Sequence, residues 1–295
     1  MAILYFLFYY LLLIPLSYLP YKVLYLISDF LYVLLFYIFG YRKKVVVRNL
    51  RNSFPDKSKE ELDEIMRKFY HHLSDIIIES LAIFTISRKT VHDRMKYIPN
   101  ETVQRYYEDN RSIIISGGHY NSWELFALAV DDVIPHQSIG IYTALSNRFF
   151  DNKMKKSREK YGIEMISTRE IIHNLAQRTH ELTAPIFAID QSPGNPRKSY
   201  WLRFLHQDTA VAFGTEKVAK KYNLPVYYCR INKIKRGYYT FELELVSDNP
   251  VDTDHGFITK QVTAMLEQDI INEPEYWLWS HRRWKHTKPT DLSNQ

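Results

Sequence analysis

Apolar and polar positions divide the chain into a lipid-like beginning and a long remainder of soluble character. The stretch MAILYFLFYYLLLIPLSYL carries no charge, and after Pro20-Tyr21-Lys22 a second run, VLYLISDFLYVLLFYIFG, is apolar except at Ser28 and Asp29. Each is close to the ~20 residues that a helix needs to cross a bilayer. Apolar residues surround each helix instead of striping one face, which argues against ordinary core helices. No cation precedes the first run and no A-x-A follows it, so a cleaved signal peptide fits poorly. Arg42, Lys43, Lys44, Arg48 and Arg51 come next, with no acid before Asp56. A basic cluster beside an apolar segment marks the cytoplasmic side and attracts anionic lipid. The expectation is a membrane anchor of one or two helices over residues 1–40 and a cytoplasmic domain over 41–295.

From residue 59 the pattern alternates between helix and strand. KEELDEIMRKFYHHLSDIIIESLAIF places Leu62, Ile65, Met66, Phe69, Leu73, Ile76, Ile77 and Leu81 at helical spacing. Ser58 and Glu61 supply a capping box at its start. Short runs rich in β-branched residues follow at 112–116, 138–142, 163–167, 185–190, 225–231 and 239–246. Helical stretches lie near 121–131, 146–161, 168–181 and 209–223. This alternation predicts an α/β domain with a central, largely parallel sheet flanked by helices. The hairpin-length gap between the last two strands, containing Lys233, Lys235, Arg236 and Gly237, predicts an antiparallel edge. Only the tail after Lys288 lacks a pattern.

Composition narrows the functional classes. Lys and Arg total 39 against 33 Asp and Glu, a net charge of +6 that favours anionic partners without choosing among them. An apolar share of 46% excludes a disordered chain, and 23 Tyr suit a protein at a membrane interface. With 9 Gly and neither G-x-G-x-x-G nor G-x4-G-K-[ST], nucleotide-binding loops have little material. Cys229 is the single Cys, so an intramolecular disulfide and a multi-Cys zinc site are excluded; its place in a strand predicts a core position. His71-His72 falls on a helix and is expected at its surface rather than on a metal.

In α/β folds chemistry gathers where strands end and helices begin. RSIIISGGHYNSWELFALAV is such a junction: a strand runs into Gly117-Gly118, then His119, and a helix starts around Asn121. Within one helix, positions five apart point about 140° from each other. With His119 in the loop and Glu124 in the first helical turn, the carboxylate can fold back onto the imidazole. Glu124 would then orient the ring and stabilise imidazolium, leaving the other nitrogen as general base. N–H groups at Gly117, Gly118 and the helix start could hold a phosphate or an oxyanion. Spacing alone leaves a second reading open. A chain of this composition holds about one H-x4-[DE] by chance, and Asn121 with Glu124 also reads as an N-cap and its capping-box acid.

The motifs together resemble those of the lipid A biosynthesis lauroyl/myristoyl acyltransferase family, within the lysophospholipid acyltransferase superfamily, from the apolar segment to about Lys285. YRKKVVVRNLRNSFPDKS is similar to the family's R-x-x-V-x-x-N-L-x-x-x-F-P, and GGHYNSWE to its G-H-x-G-N-W-E block. SREKYG, AIDQ and PEYWLWSHRRWK follow in the family's order. The resemblance implies a glycerolipid-acyltransferase-like fold with an N-terminal membrane helix at the bacterial inner membrane, the catalytic domain facing the cytoplasm. It puts His119 and Glu124 on the catalytic pair, Arg158 on a basic position meeting substrate, and Asp190 and Gln191 on an Asp-Gln pair; Asp190 would order the site floor, and Arg158, Asp190, Gln191 and Gly118 would bind substrate. It implies transfer of a fatty acyl group from a thioester, on acyl carrier protein or acyl-CoA, to a hydroxyl of a lipid A precursor. No metal or redox cofactor is implied. Lys153, Lys155, Lys156, Arg158 and Lys160 read either as a solvated helix face or as a dock for acidic carrier protein. The HRRW run (His281, Arg282, Arg283, Lys285) implies a structural or headgroup-facing role instead of nucleic-acid binding. Asn121 and Ser122 stand where Gly-Asn is usual, and His206 where Gly is common. Two alternatives remain: the same reaction on an aminolipid or lysophospholipid, and a non-catalytic protein that binds anionic membrane.

Overall fold

The computed structural model describes residues 2–178 and 180–290; part of the patternless tail lies outside them. The chain opens with α1 (Ala2–Phe8), a π-helical stretch (Tyr9–Leu13) and α2 (Ile14–Ser17), then α3 (Tyr21–Val33) with its π-helical extension (Leu34–Ile38). The basic helix α4 (Lys43–Ser53) and the long α5 (Lys59–Ala82) follow, then α6 (Arg88–Arg94), β1 (Met95–Ile98) and α7 (Glu101–Glu108). The alternating region runs β2 (Ile114–Gly117), α8 (Trp123–Ala129), β3 (Gln137–Tyr142), α9 (Arg148–Arg158), β4 (Glu164–Ser167), α10 (Ile171–Gln177) and β5 (Thr183–Ala188). The hairpin β6 (Tyr200–Phe204) and β7 (Gln207–Val211), α11 (Gly214–Tyr222), β8 (Val226–Lys235), β9 (Tyr238–Ser247) and α12 (Phe257–Asn272) complete it.

Seven strands form one sheet in the order β1-β9-β8-β2-β5-β3-β4, and five of them run in one direction. Side chains alternate across it: Ile114 and Tyr228 enter one apolar cluster, while Ile115, Tyr227 and Cys229 enter another. A parallel sheet buried on both faces reads as continuous apolar runs, which is why its strands were visible in the sequence. The capping box forms as expected, with Glu61 N–H donating to Ser58 Oγ at 3.2 Å and Ser58 N–H to Glu61 Oε2 at 2.7 Å.

Three expectations are corrected. β8 and β9 are antiparallel, but β9 is not the edge, because β1 pairs outside it in parallel. Residues 209–211 belong to β7 and not to a helix; Leu205 and His206, at φ 46° and 61°, form the tight turn that returns the chain from β6. His72 is buried against Tyr276, with Nδ1 3.2 Å from Lys233 Nζ, while His71 lies half-exposed beside Asp29.

Among the described residues one helical stretch, Tyr21–Ile38, is long and apolar enough to cross a membrane; Ile3–Ser17 is shorter. Both are docked along the domain. Leu24 is buried with Ile78 and Ala82 of α5, Ser28 Oγ donates to Asp75 at 2.7 Å, and Asp29 pairs with Arg236 at 2.6 Å. Tyr5 and Tyr9 pack on Phe150 and Phe149 of α9. The opposite faces leave Leu4, Leu11, Leu26, Phe30, Tyr37 and Phe39 exposed.

Candidate active site

Sheet register builds the site. β2 and β5 are parallel neighbours in which Gly117 pairs with Ala188, and Ile189 N–H donates to the Gly117 carbonyl at 2.9 Å. Two residues beyond this pair on each strand stand His119 and Asp190. Register alone thus brings together groups 71 residues apart in the chain. His119 Nδ1 lies 2.7 Å from Asp190 Oδ1, and the His119 backbone N–H donates to Oδ2 at 2.8 Å. The buried indole of Trp277 donates to the same Oδ2 at 2.9 Å. With Nδ1–H donated to the carboxylate, Nε2 keeps its lone pair, and the Gln191 amide nitrogen sits 3.1 Å away from it. Trp123 meets the ring edge-on, with centroids 5.2 Å apart.

Charge follows this geometry. Burial works to raise the Asp190 carboxyl, but the His119 charge and its two hydrogen bonds, with the Trp277 indole, hold it down at about 2. Burial works to lower the His119 imidazole. The Asp190 charge and hydrogen bond outweigh it, Glu124 adds to them and Arg158 opposes, so His119 titrates above its ordinary 6.5.

Glu124 does not fold back onto the ring as expected, and accepts no hydrogen bond from it. Glu124 is buried and bound by Arg158 through two bonds, Nε to Oε2 at 2.8 Å and a terminal guanidinium nitrogen to Oε1 at 2.5 Å. The capping reading fails as well: Ser122 is the N-cap of α8, without a side-chain cap, and Asn121 lies in the left-handed region at φ 55°. Asn tolerates that conformation better than any other residue with a Cβ, so the loop keeps its shape where Gly would be usual. Gly118 packs so closely on Leu266 that a Cβ would come within 2.7 Å of it. The expected anion cradle of Gly117, Gly118 and the helix start is reduced, because the N–H of Asn121 is taken by the Tyr276 carbonyl at 3.1 Å.

Other residues act behind this pair. Glu79 of α5, wholly buried, accepts from Ser122 Oγ at 2.9 Å, from Tyr25 of α3 at 2.9 Å and from Tyr239 of β9 at 3.1 Å. One carboxylate thereby ties the docked apolar helix to the His119 loop. Burial raises its pKa. Arg283, also buried, donates to the Ala210 carbonyl at 2.7 Å, and burial pulls its pKa down to about 10 against the field of Asp190. This supports the structural role implied for the HRRW run. The cations of α9 and of the turn after it are mostly engaged within the chain: Lys153 donates to Tyr10 at 2.7 Å, Lys160 to carbonyls just past the end of α5, and Arg158 to Glu124. Lys155 and Lys156 remain on the outer face, with Lys155 3.6 Å from Glu159.

A parallel sheet with a carboxylate-held histidine at the ends of adjacent strands defines an α/β enzyme equipped for proton transfer. The family model described as bacterial lipid A biosynthesis acyltransferase matches residues 2–286, nearly the whole chain. The protein belongs to that family and is an acyltransferase of lipid A biosynthesis. Among its relatives, the lipid A biosynthesis palmitoleoyltransferase of Escherichia coli is 22% identical over 254 residues, covering 86% of this chain and 81% of that protein. The lipid A biosynthesis lauroyltransferase of the same organism is 24% identical over 280 residues, covering 94% and 90%. A lipid A biosynthesis acyltransferase of Haemophilus influenzae is 25% identical over 256 residues, covering 85% and 79%.

Proposed function

We propose that His119 is the general base that moves a fatty acyl group from a carrier thioester to a hydroxyl of a lipid A precursor. The observation that carries this reading is the ring's orientation: Nδ1 is fixed on Asp190 and Nε2 faces Gln191 with its lone pair available. An acceptor hydroxyl bound at Nε2 gives up its proton as its oxygen attacks the thioester carbonyl. The tetrahedral intermediate collapses by breaking the C–S bond, and the departing thiolate takes the proton back from the imidazolium. An ester and a free carrier thiol result, and Asp190 remains ionised throughout, stabilising the imidazolium.

Glu124 acts through Arg158. Held by two bonds, the guanidinium presents a fixed positive charge near His119 to the acceptor's anionic groups. Gln191 hands over the Nε2 site when the acceptor arrives, while Gly118 lets the loop backbone lie against Leu266, which fills the space a Cβ would take. Acyl carrier protein, or acyl-CoA, is the donor.

The domain sits at the cytoplasmic face of the bacterial inner membrane, with residues 1–40 as its anchor. Because α3 is docked along α5 through Ser28, Asp29 and Tyr25, a vertical crossing would carry Asp75 and Arg236 into hydrocarbon. The anchor therefore lies along the headgroup–acyl boundary, its exposed apolar face in lipid.

The test supplies detergent-solubilised enzyme with acyl carrier thioester and a lipid A precursor and follows product mass. One added acyl group, abolished by His119→Ala, is the expected result. Transfer only to an aminolipid or lysophospholipid would overturn the acceptor, and full activity in His119→Ala would overturn the mechanism.

A further inference from the structure

The end of the apolar segment, the basic helix α4 and the first turns of α5 enclose a cavity of about 290 Å³, none of whose lining residues belongs to the His119 site. Its apolar part is made by Phe36, Leu50, Leu62 and Met66. Its polar part is made by Lys43, Arg51, Lys59 and Arg67 against the single acid Asp63. Arg51, Lys59 and Arg67 are exposed, and Lys43 Nζ stands 4.1 Å over the Phe36 ring. Among the described residues none of these four cations is in an ion pair, although the nearby Lys57 and Lys68 are paired with Glu61 and Glu64. Four cations gathered around one acid repel each other, and a bound anion relieves that repulsion. The anion's surroundings are also specified. Tyr37 lines the cavity and is 64% exposed, and Ile38 and Phe39 next to it are exposed as well, so the cavity opens beside the face that meets lipid.

We propose that this cavity binds one anionic glycerophospholipid of the surrounding membrane. Its phosphate is held among Arg51, Lys59 and Arg67, and the first carbons of its chains lie on Phe36, Leu62 and Met66. Basic pockets at the cytoplasmic end of apolar helices recognise headgroups in this way. A lipid held here fixes the height and tilt of the enzyme on the bilayer. The proposal rests on the membrane-surface placement given above.

The test measures co-sedimentation of the full chain with vesicles of phosphatidylcholine alone and of phosphatidylcholine with phosphatidylglycerol. The wild type is expected to bind both, more tightly with phosphatidylglycerol. Replacing Arg51→Gln and Arg67→Gln together should cut that anionic gain by about fivefold per cation, on the order of 25-fold in all. Unchanged affinity for neutral vesicles verifies that the fold survives. The paired control Lys217→Gln and Lys221→Gln removes equal charge from α11. The proposal is overturned if wild type gains nothing from phosphatidylglycerol, or if the cavity pair loses no more than the control pair. Failure of the wild type to bind neutral vesicles would instead refute the membrane-surface placement.

Discussion

Asp190 holds His119 twice, by the ring nitrogen at 2.7 Å and by the backbone N–H at 2.8 Å, so one carboxylate fixes both the tautomer and the loop that carries it. Such a carboxylate does more than adjust a pKa. In the proposed mechanism it decides which nitrogen is free to accept a proton, and it keeps the imidazolium charge next to its countercharge during transfer.

Asp190→Asn tests that role. A general base contributes typically 10²–10⁴-fold, and loss of its oriented partner should cost a comparable part of kcat. The pH dependence has a defined sign. The base is active when neutral, so kcat/KM of the wild type rises with pH through an inflection above 6.5, where Asp190 has lifted His119. Without that charge, burial pulls the imidazole down, so the variant's inflection moves to lower pH while its plateau falls. A pH–rate profile of the two proteins checks both statements; a coincident inflection would mean that Asp190 does not set the titration.

Glu124 and Arg158 form a partly buried pair, with side chains 7% and 22% exposed. Glu124→Gln and Arg158→Gln should each lower kcat/KM, and the double variant should be no slower than the worse single one, because one removes the guanidinium and the other the carboxylate that positions it. A melting curve accompanies the kinetics. Glu124→Gln leaves a guanidinium without its countercharge and should lose stability, up to about 3 kcal/mol for a well-buried pair. Losses in activity that multiply in the double variant would show separate roles.

The proposed carrier dock is reduced to Lys155 and Lys156, since Lys153, Arg158 and Lys160 each bond to other parts of the protein. Reversing both to Glu should raise KM for acyl carrier thioester by about tenfold at low salt and flatten its salt dependence, with kcat kept. Steady-state kinetics with carrier-bound and CoA-bound donor separate a docking defect from a damaged site. An unchanged KM for the carrier-bound donor would place its dock elsewhere.

His206 sits exposed in a left-handed turn at φ 61°. That conformation costs a residue with a Cβ about 1–2 kcal/mol, partly offset in glycine by its freer unfolded chain. His206→Gly should therefore stabilise the domain by roughly 0.5–1 kcal/mol, read as a rise in the melting midpoint. Leu205 must be left in place, because it is buried and its N–H donates to Glu267 at 2.5 Å.

The sheet and α5 were legible because their signals are local: apolar runs for strands buried on both faces, and a capping box ahead of a helical stripe. His119 was legible for the same reason, as a strand, two glycines and a histidine are adjacent in the chain. Its partner was not. Contact with Asp190 depends on the register between β2 and β5, which no local spacing encodes, whereas Glu124 lay close enough to invite the assignment. The β6–β7 turn was missed because Leu205-His206 lacks the Asn-Gly or Asp-Gly chemistry of tight hairpins. β1 was missed because four residues, MKYI, are too few to show a period. Glu79 did leave a trace. An acid inside the apolar run DIIIESLA is costly unless partnered, and its partners prove to be three hydroxyls from distant elements. The cations of α9 misled in the opposite direction, since a charged run on a helix gives no sign of which members turn inward.

The Asp29–Arg236 pair spans 207 residues of chain, and at ~5–20 residues per second roughly 10–40 s of synthesis separate the two partners. The apolar helix is therefore made long before the hairpin that secures it, and its acid waits with only His71 of α5 beside it. β1 likewise waits for β9, whose first paired residue, Tyr239, comes 144 residues after Met95. A nascent chain stopped anywhere before residue 236 carries a visible mark of incompleteness near its N-terminus, a carboxylate with its guanidinium still unmade. The latch closes only on a nearly finished molecule.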